Sequence, residues 1–222
     1  MIKDLLNIAF PGKCVICNSG FYADNQNVVC SKCLSNIKKE NIYYCKSCGS
    51  PYENCQKCLK KRKYDYIYVY TKATDELVRI ISEYKLSGIK FLGKNLADII
   101  KEDIEKVVRE NNIDIVTFIP LSKKVYKKRG FNHLEFILKQ IFPSFMVHEI
   151  LVKKKETKLQ VDLSAEERKR NLKNAFHLKE NIKGKKILVF DDILTTGTTM
   201  LEAYKEIKKG KPSYIYGYVI GR

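Results

Sequence analysis

One stretch restricts what this chain can fold into more than any other: Ile187-Leu188-Val189-Phe190-Asp191-Asp192-Ile193-Leu194-Thr195-Thr196-Gly197-Thr198-Thr199. Four consecutive apolar residues, rich in β-branched and aromatic types and too few for a helix, define a strand buried on both faces, as in a parallel sheet covered by helices. Two carboxylates then stand at the carboxyl end of that strand. Helical apolar spacing at Met200, Leu201, Tyr204 and Ile207 begins just past Thr199, so Thr195 to Thr199 form a small-residue loop feeding a helix N-terminus. Backbone N–H groups, hydroxyls and the positive end of a helix dipole suit a phosphate. Carboxylates beside them accept hydrogen bonds from sugar hydroxyls. Together they describe a site for a ribose 5-phosphate, at the strand ends where open α/β sheets bind ligands. No Gly-Lys-Thr or Gly-Lys-Ser follows, which excludes a Walker-type loop.

The N-terminal quarter is organised by sulfur. Eight cysteines fall in four Cys-x-x-Cys pairs, all before Lys60: Cys14 with Cys17, Cys30 with Cys33, Cys45 with Cys48, and Cys55 with Cys58. Each half supplies enough thiolates to close a tetrahedral zinc site, and two structural zinc ions, contributing folding energy and no chemistry, are the simplest count. The spacing does not fix which pairs share an ion, and an interleaved pairing stays open. Gly20 and Gly49 follow the first pair of each half, where a knuckle needs a tight turn. Disulfides and redox pairs compete for the same residues, but four such pairs in one basic segment are more typical of zinc knuckles. Ile2 to Phe10, ended by Pro11-Gly12, reads as a short packing helix that buries too little to anchor a membrane. With no signal-peptide pattern and no spanning segment, the expected compartment is the reducing cytoplasm. The expected division is a zinc-ribbon module over 1–63, ending in the basic run Lys60 to Lys63, and an α/β domain over 64–222.

That second part alternates strands with helices. Asp75 to Lys85 carries apolar spacing at Leu77, Ile80, Ile81 and Tyr84 and stops near Gly88; a longer helix runs from Lys94 to Glu110 on Leu96, Ile99, Ile100, Ile104, Val107 and Val108. Asp114 to Ile119 is a second buried strand ended by Pro120, placing Leu121-Ser122-Lys123-Lys124 at the same sheet edge as the acidic pair. Arg129-Gly130-Phe131-Asn132 leads into a helix carrying Leu134, Phe136, Ile137 and Ile141. Met146 to Val152 and Tyr214 to Ile220 read as further strands; Lys153-Lys154-Lys155 follows the first, and Ser164-Ala165-Glu166-Glu167 is a capping box for a short helix. The order predicts an α/β fold with a mostly parallel sheet. Tyr64, Tyr66, Tyr68 and Tyr70 alternate with Asp65, Ile67 and Val69, so four rings share one strand face; packing against the zinc module or a helix is the preferred reading over a base-stacking platform. His133, His148 and His177 lack metal spacing and read as structural or surface residues. A net charge of +17 favours a polyanionic partner, nucleic acid or phosphate-rich substrate, without choosing between them.

The acidic pair, an apolar residue, one free position and Thr-Thr-Gly-Thr-Thr resemble the signature of the type I phosphoribosyltransferases, which bind 5-phosphoribosyl-1-diphosphate (PRPP). The order of blocks along the whole chain is similar to that of the ComF family of competence-associated proteins. Its landmarks here are the cysteine module, the lysine segment Tyr84-Lys85-Leu86-Ser87-Gly88, the block Arg129 to Asn132, a third block of Thr157, Gln160, Leu163, Arg168, Asn171, Ala175 and Phe176, and the loop. One departure is that Lys153 to Lys155 stand before Thr157 where an arginine is expected; a lysine keeps the charge and loses the bidentate fork.

The resemblance implies a phosphoribosyltransferase-type sheet behind a double zinc ribbon. It implies that Asp191 and Asp192, as catalytic residues, hold the ribose 2- and 3-hydroxyls near a Mg²⁺ brought by PRPP. Leu194, Thr195, Thr196, Gly197, Thr198 and Thr199 would wrap the 5-phosphate, and Lys123, Lys124 and Arg129 the diphosphate. The implied reaction displaces diphosphate from C1 of PRPP through an oxocarbenium-like transition state. The family's association with DNA uptake in natural transformation implies the alternative: a non-catalytic single-stranded-DNA-binding accessory protein, working with other competence proteins, or a PRPP-sensing regulator on the same fold. No base-binding hood is recognisable.

Overall fold

A computed structural model of the chain describes residues 12–21, 28–40, 42–44, 67–154 and 174–222. Several expectations lie outside the described residues. They are the helix over Ile2 to Phe10, the second cysteine quartet of Cys45, Cys48, Cys55 and Cys58 with Gly49, and the basic run from Lys60. Tyr64, Tyr66 and the block from Thr157 to Asn171 with its capping box lie outside them too.

In chain order the elements are β1 (Gly12–Lys13), β2 (Gly20–Phe21), α1 (Ser31–Ser35), β3 (Ile42–Tyr44), β4 (Ile67–Thr71), α2 (Asp75–Ser87), α3 (Lys90–Asn111) and β5 (Ile115–Phe118). They continue with α4 (Lys123–Arg129), α5 (His133–Ile141), β6 (Leu151–Lys153), β7 (Phe176–Leu178), β8 (Lys186–Ile193), α6 (Thr198–Lys209) and β9 (Tyr214–Gly221). The main sheet has the order β3-β4-β9-β8-β5. Its last four strands are parallel, as expected, and β3 adds antiparallel to the outer edge of β4. β8 lies between β9 and β5, which is why its apolar run has no polar alternation: Ile187, Leu188, Val189 and Phe190 are all buried.

Helices cover both faces. On one, α3 lies over the tyrosines: Tyr218 donates its hydroxyl to Asp103 at 2.8 Å, and Tyr68 accepts from Asn111 Nδ2 at 3.0 Å. Tyr70 is buried in the core. The two described members of the tyrosine stripe are therefore packing residues, each ring supplying apolar area. On the other face Met200 and Tyr204 of α6 line a small cavity together with Ile67, Val189 and Ile215.

The placement of α2 matters most for function. Thr74 caps it, accepting from the Leu77 N–H at 3.3 Å, and Gly88, at φ 69°, ends it in the left-handed region. The Ala73 N–H donates to Arg222 O at 2.8 Å, and a Cβ on Gly221 would come 2.7 Å from Leu77 Cδ2. Farther along, Lys85 reaches Asp192. The helix thus crosses the carboxyl ends of β4, β9 and β8 in turn. Its fully buried Tyr84 presses on α3 where that helix has Gly93; a Cβ there would sit 2.6 Å from Tyr84 Cζ and 2.9 Å from Phe136 Cδ1. A glycine inside a helix costs about 1 kcal/mol relative to alanine, and the close approach of this ring accounts for it.

The expected strand from Met146 to Val152 is corrected. Val147 alone bridges to Val116 on the free edge of β5, and the chain then leaves to form β6, antiparallel to β7 in a separate two-stranded sheet. The polar residues between explain the departure. His148 Nδ1 lies 3.2 Å from Glu180 Oε2, and Lys179 donates to Glu149 at 2.7 Å, so both draw the chain toward the residues that follow β7. Among the described residues no helix is long and apolar enough to cross a membrane.

Candidate functional site

Successive side chains on a strand point to opposite sides, and at the end of β8 this separates the two aspartates. Asp192 turns inward and is 5% exposed, while Asp191 stays partly exposed. Asp192 Oδ2 accepts from Lys85 Nζ at 2.7 Å and from His133 Nε2 at 2.8 Å, and its Oδ1 accepts from the Ile193 N–H at 2.7 Å. The second ring nitrogen of His133, Nδ1, is 2.8 Å from Arg129 Nη1. A guanidinium can only donate, so Nδ1 accepts and the ring proton sits on Nε2, donated to Asp192. The imidazole is neutral, in keeping with the burial that lowers its pKa against the opposing pull of Asp192.

The titration of the carboxylates follows the same geometry. Burial alone would raise Asp192, but Lys85 and His133 outweigh it and hold the group well below the ordinary carboxylate range. Burial and the neighbouring Asp192 charge push Asp191 up to about 7, opposed by Lys85, by the Asp192 backbone N–H and by Lys153.

The block Arg129 to Asn132 has a clear local purpose. Gly130, at φ 82°, ends α4. Asn132 caps α5, its Oδ1 accepting from the Leu134 N–H at 2.9 Å while its Nδ2 donates to Ile119 O at 3.3 Å. The turn sets Arg129 and His133 side by side at the carboxyl edge of β5. Lys123 and Lys124 are exposed in the first turn of α4. Of the three basic candidates, Arg129 is the one linked through His133 to the acidic pair.

The loop after β8 is pinned at its start: Leu194 is buried and its N–H donates to Gly221 O at 2.8 Å. Thr195 and Thr196 are exposed, Thr196 Oγ1 lies 2.9 Å from Thr198 Oγ1, and Gly197, at φ 70°, opens α6. Hydroxyls and a helix N-terminus therefore stand one loop away from Asp191.

Two residues of the constellation escape the sequence reading. His133, expected as a structural or surface residue, belongs to the site; the signal in the sequence is its place on the apolar stripe with Phe136 and Ile137, since a buried histidine needs partners for both nitrogens. Lys85, read only as part of a family block, lies one turn past Ile81 on the border of the buried face of α2. His148 and His177 do lie at the surface, near Glu180 and Glu206.

At the N-terminus the Sγ atoms of Cys14, Cys17, Cys30 and Cys33 all lie within 4.8 Å of one another, with Cys17 and Cys30 at 3.8 Å. Four thiolates about 2.3 Å from one zinc ion are about 3.8 Å apart, so the cluster fits zinc. These four come from the first half of the cysteine series, so this quartet is sequential and not interleaved. The other expected ligands, Cys45, Cys48, Cys55 and Cys58, fall outside the described residues, and the described cluster is complete without them. Cys14 Sγ also accepts from the Ile16 and Cys30 N–H groups, both at 3.4 Å. Ser19 lowers the Cys17 thiol to about 6 through its side chain and backbone. The left-handed turn residue is Asn18, at φ 56°, and not Gly20, which pairs with Lys13 in the ribbon; asparagine is among the few residues that tolerate this conformation.

Comparison with known proteins agrees with this layout. Residues 92–220 match the family model of the phosphoribosyl transferase domain, and residues 5–62 that of the double zinc ribbon domain. "Competence protein F" of Haemophilus influenzae is 26% identical over 216 residues, covering 90% of this chain and 92% of that protein. "DNA utilization protein YhgH" of Escherichia coli K12 is 26% identical, covering 88% and 90%. "Competence protein ComFC" of Streptococcus pneumoniae is 24% identical, covering 89% and 94%. A solved hypoxanthine phosphoribosyltransferase from Staphylococcus aureus is similar at 15% identity and a TM-score of 0.36, over 57% of this chain and 62% of that one, less than two thirds of its length. The chain belongs to the phosphoribosyl transferase domain family and, with the double zinc ribbon ahead of that domain, to its ComF members.

Proposed function

We propose that the protein binds Mg²⁺–PRPP at the carboxyl end of β8 and transfers its phosphoribosyl group, releasing diphosphate. The observation that carries this reading is the placement of Asp191, partly exposed, just ahead of a threonine loop at a helix N-terminus and next to Asp192, whose contacts lead to the cations Lys85 and, through His133, Arg129. In it, Thr195 to Thr199 hold the 5-phosphate, Asp191, the partly exposed member of the acidic pair, would face the ribose and the magnesium that comes with it, with Asp192 buried beside it, and Lys123, Lys124 and Arg129 serve the diphosphate. The bond from C1 to the diphosphate oxygen breaks with its electron pair leaving on diphosphate, and the lone pair of an acceptor nucleophile closes on C1. Two structural zinc ions in a module over 1–63, the second held by Cys45, Cys48, Cys55 and Cys58, support a phosphoribosyltransferase-like domain over 64–222, in the reducing cytoplasm.

A second reading, a single-stranded-DNA-binding accessory protein, is favoured by one feature of α4. Tyr126, 49% exposed, stands between two exposed lysine pairs, Lys123 with Lys124 and Lys127 with Lys128, an aromatic in a basic stripe of the kind that stacks bases. The relatives named for competence and DNA utilization point the same way.

Calorimetric titration of the zinc-loaded protein with Mg²⁺–PRPP, beside the double variant Asp191→Asn with Asp192→Asn, tests the first reading. Binding that disappears in the variant is expected; undiminished affinity there would sink the site assignment. No binding in either protein, with DNA affinity falling steeply as salt rises, would select the second.

A further inference from the structure

The two aspartates at the end of β8 stand in unlike surroundings. A carboxylate offers about four lone-pair sites. Asp192 has committed three, to Lys85, His133 and the Ile193 N–H, and it is 5% exposed. Among the described residues, Asp191 accepts only the Asp192 N–H, at 3.0 Å, and it keeps an exposed side. We propose that Asp192 is a positioning residue that does not touch the ligand: it aims Lys85, and through His133 also Arg129, at the ligand's diphosphate, and leaves Asp191 alone to meet the sugar. This inference rests on the phosphoribosyl reading above and divides its labour.

The geometry supports each part. Lys85 comes from α2, Arg129 from α4 and His133 from α5; Lys85 and His133 meet at Asp192, and Arg129 joins them through His133. The Lys85 side chain is 34% exposed while bonded to Asp192; an ammonium has three donors, so two remain for a ligand at the strand edge. Arg129 likewise gives one N–H to His133 and keeps four of its five donors. The two cations stand at opposite ends of the chain Lys85–Asp192–His133–Arg129, and the Asp192 carboxylate within it offsets part of their mutual repulsion. A net positive charge remains, suited to a group carrying several negative charges. Neutral His133 transmits position and adds no charge. The neighbouring Tyr84 makes the placement firm: its hydroxyl donates to His133 O at 3.1 Å, and its ring packs against Phe131 and Phe136 with centroids 6.0 and 6.5 Å away. The end of α2 is therefore fixed to α5, and Lys85 with it.

The test compares Mg²⁺–PRPP with ribose 5-phosphate, which lacks the diphosphate, by calorimetry on the zinc-loaded full chain. The ratio of the two affinities is the readout. Lys85→Gln and Asp192→Asn are expected to cut that ratio about tenfold, the loss of one charge-assisted hydrogen bond, and to leave ribose 5-phosphate within about twofold. Asp191→Asn is expected to weaken both ligands together and leave the ratio unchanged. Lys85→Arg is expected to recover most of the ratio, which a merely structural role would not do. Lys85→Gln changes a partly exposed side chain and keeps the test open even if Asp192→Asn fails to fold. An unchanged ratio in Lys85→Gln, or Asp192→Asn weakening ribose 5-phosphate as much as Asp191→Asn, overturns the division of labour and leaves the phosphoribosyl reading intact. A parent protein that binds neither compound overturns both.

Discussion

At the N-terminal knuckle, four sulfur atoms crowd within 4.8 Å, and the Cys14 sulfur accepts from backbone N–H groups, one in its own turn at Ile16 and one at Cys30. At the end of β8 two carboxylates stand side by side, and Asp192 is met by the side chains of Lys85 and His133, with Arg129 behind them. Both places concentrate like charge. The knuckle leaves its compensation to a metal ion, and the strand edge makes most of its own from three separate helices. The difference predicts opposite responses when something is taken away: the knuckle depends on its ion to fold, whereas the strand edge stands without a ligand.

Chelation gives the largest effect. Binding free energy for a structural zinc is on the order of 10 kcal/mol, so removing the metal is expected to unfold the N-terminal segment and leave the α/β domain standing. Limited proteolysis with circular dichroism reads both halves at once, and full protease resistance of the residues before Lys60 would break the comparison.

Next in size is Gly93→Ala. The new methyl collides with Tyr84 and Phe136, and overpacking of this kind costs roughly 1–3 kcal/mol. A lowered Tm is expected together with weaker PRPP binding, because Tyr84 carries Lys85 with it. A variant as stable as the parent would show that the end of α2 is not held as tightly as the distances imply.

Tyr218→Phe comes third. It removes the donor to Asp103, a buried carboxylate that is left with Lys39 at 2.6 Å. The expected cost is about 1–2 kcal/mol. Lys39 belongs to the N-terminal segment, so the loss should be larger in protein already stripped of zinc, where Asp103 keeps neither partner; an equal loss in both would mean that the Lys39 contact does not couple the two regions.

The smallest effect is a gain. Asp191 has a folded-state pKa of about 7 against an ordinary value of 3.8, so its charge opposes folding from about pH 4 upward, increasingly until about pH 7 and constantly beyond. Asp191→Asn is expected to leave stability unchanged at about pH 4 and to raise it by on the order of 1 kcal/mol at about pH 8, a figure reduced for the group's contact with solvent. Asp192, held low, works in the other sense: its contribution is complete above about pH 4 and is lost as the pH falls through its folded value. Thermal melts of the Asp191 variant across this range supply the check, and a variant less stable than the parent at high pH would assign the strain elsewhere.

The knuckle and β8 were legible because their information is local. Cys-x-x-Cys places sulfurs within one turn, and a four-residue apolar run before two acids admits few structures. The start of α3 was misplaced at Lys94 for a non-local reason: Gly93 looks like a helix boundary until Tyr84, nine positions earlier, is seen to need its space. The strand edge was half legible. Its carboxylates and loop are contiguous, but Lys85 and His133 reach Asp192 across 107 and 59 positions; the path of α2 over the strand ends brings the first there, and the turn from α4 into α5 brings the second. The turn at Asn18 was missed because glycine is the expected left-handed residue and asparagine serves as well.

The antiparallel strand β3 also has a bearing on how the protein behaves when overproduced. A parallel sheet exposes a row of unpaired amides and carbonyls along each outer strand, which a stray strand of another molecule can copy. β3 occupies that row on β4, and the bridge from Val147 to Val116, with the His148 N–H donating to Val116 O at 3.0 Å, occupies part of it on β5. If zinc starvation loosens the segment that carries β3, the first symptom would be insoluble protein from cells grown without the metal.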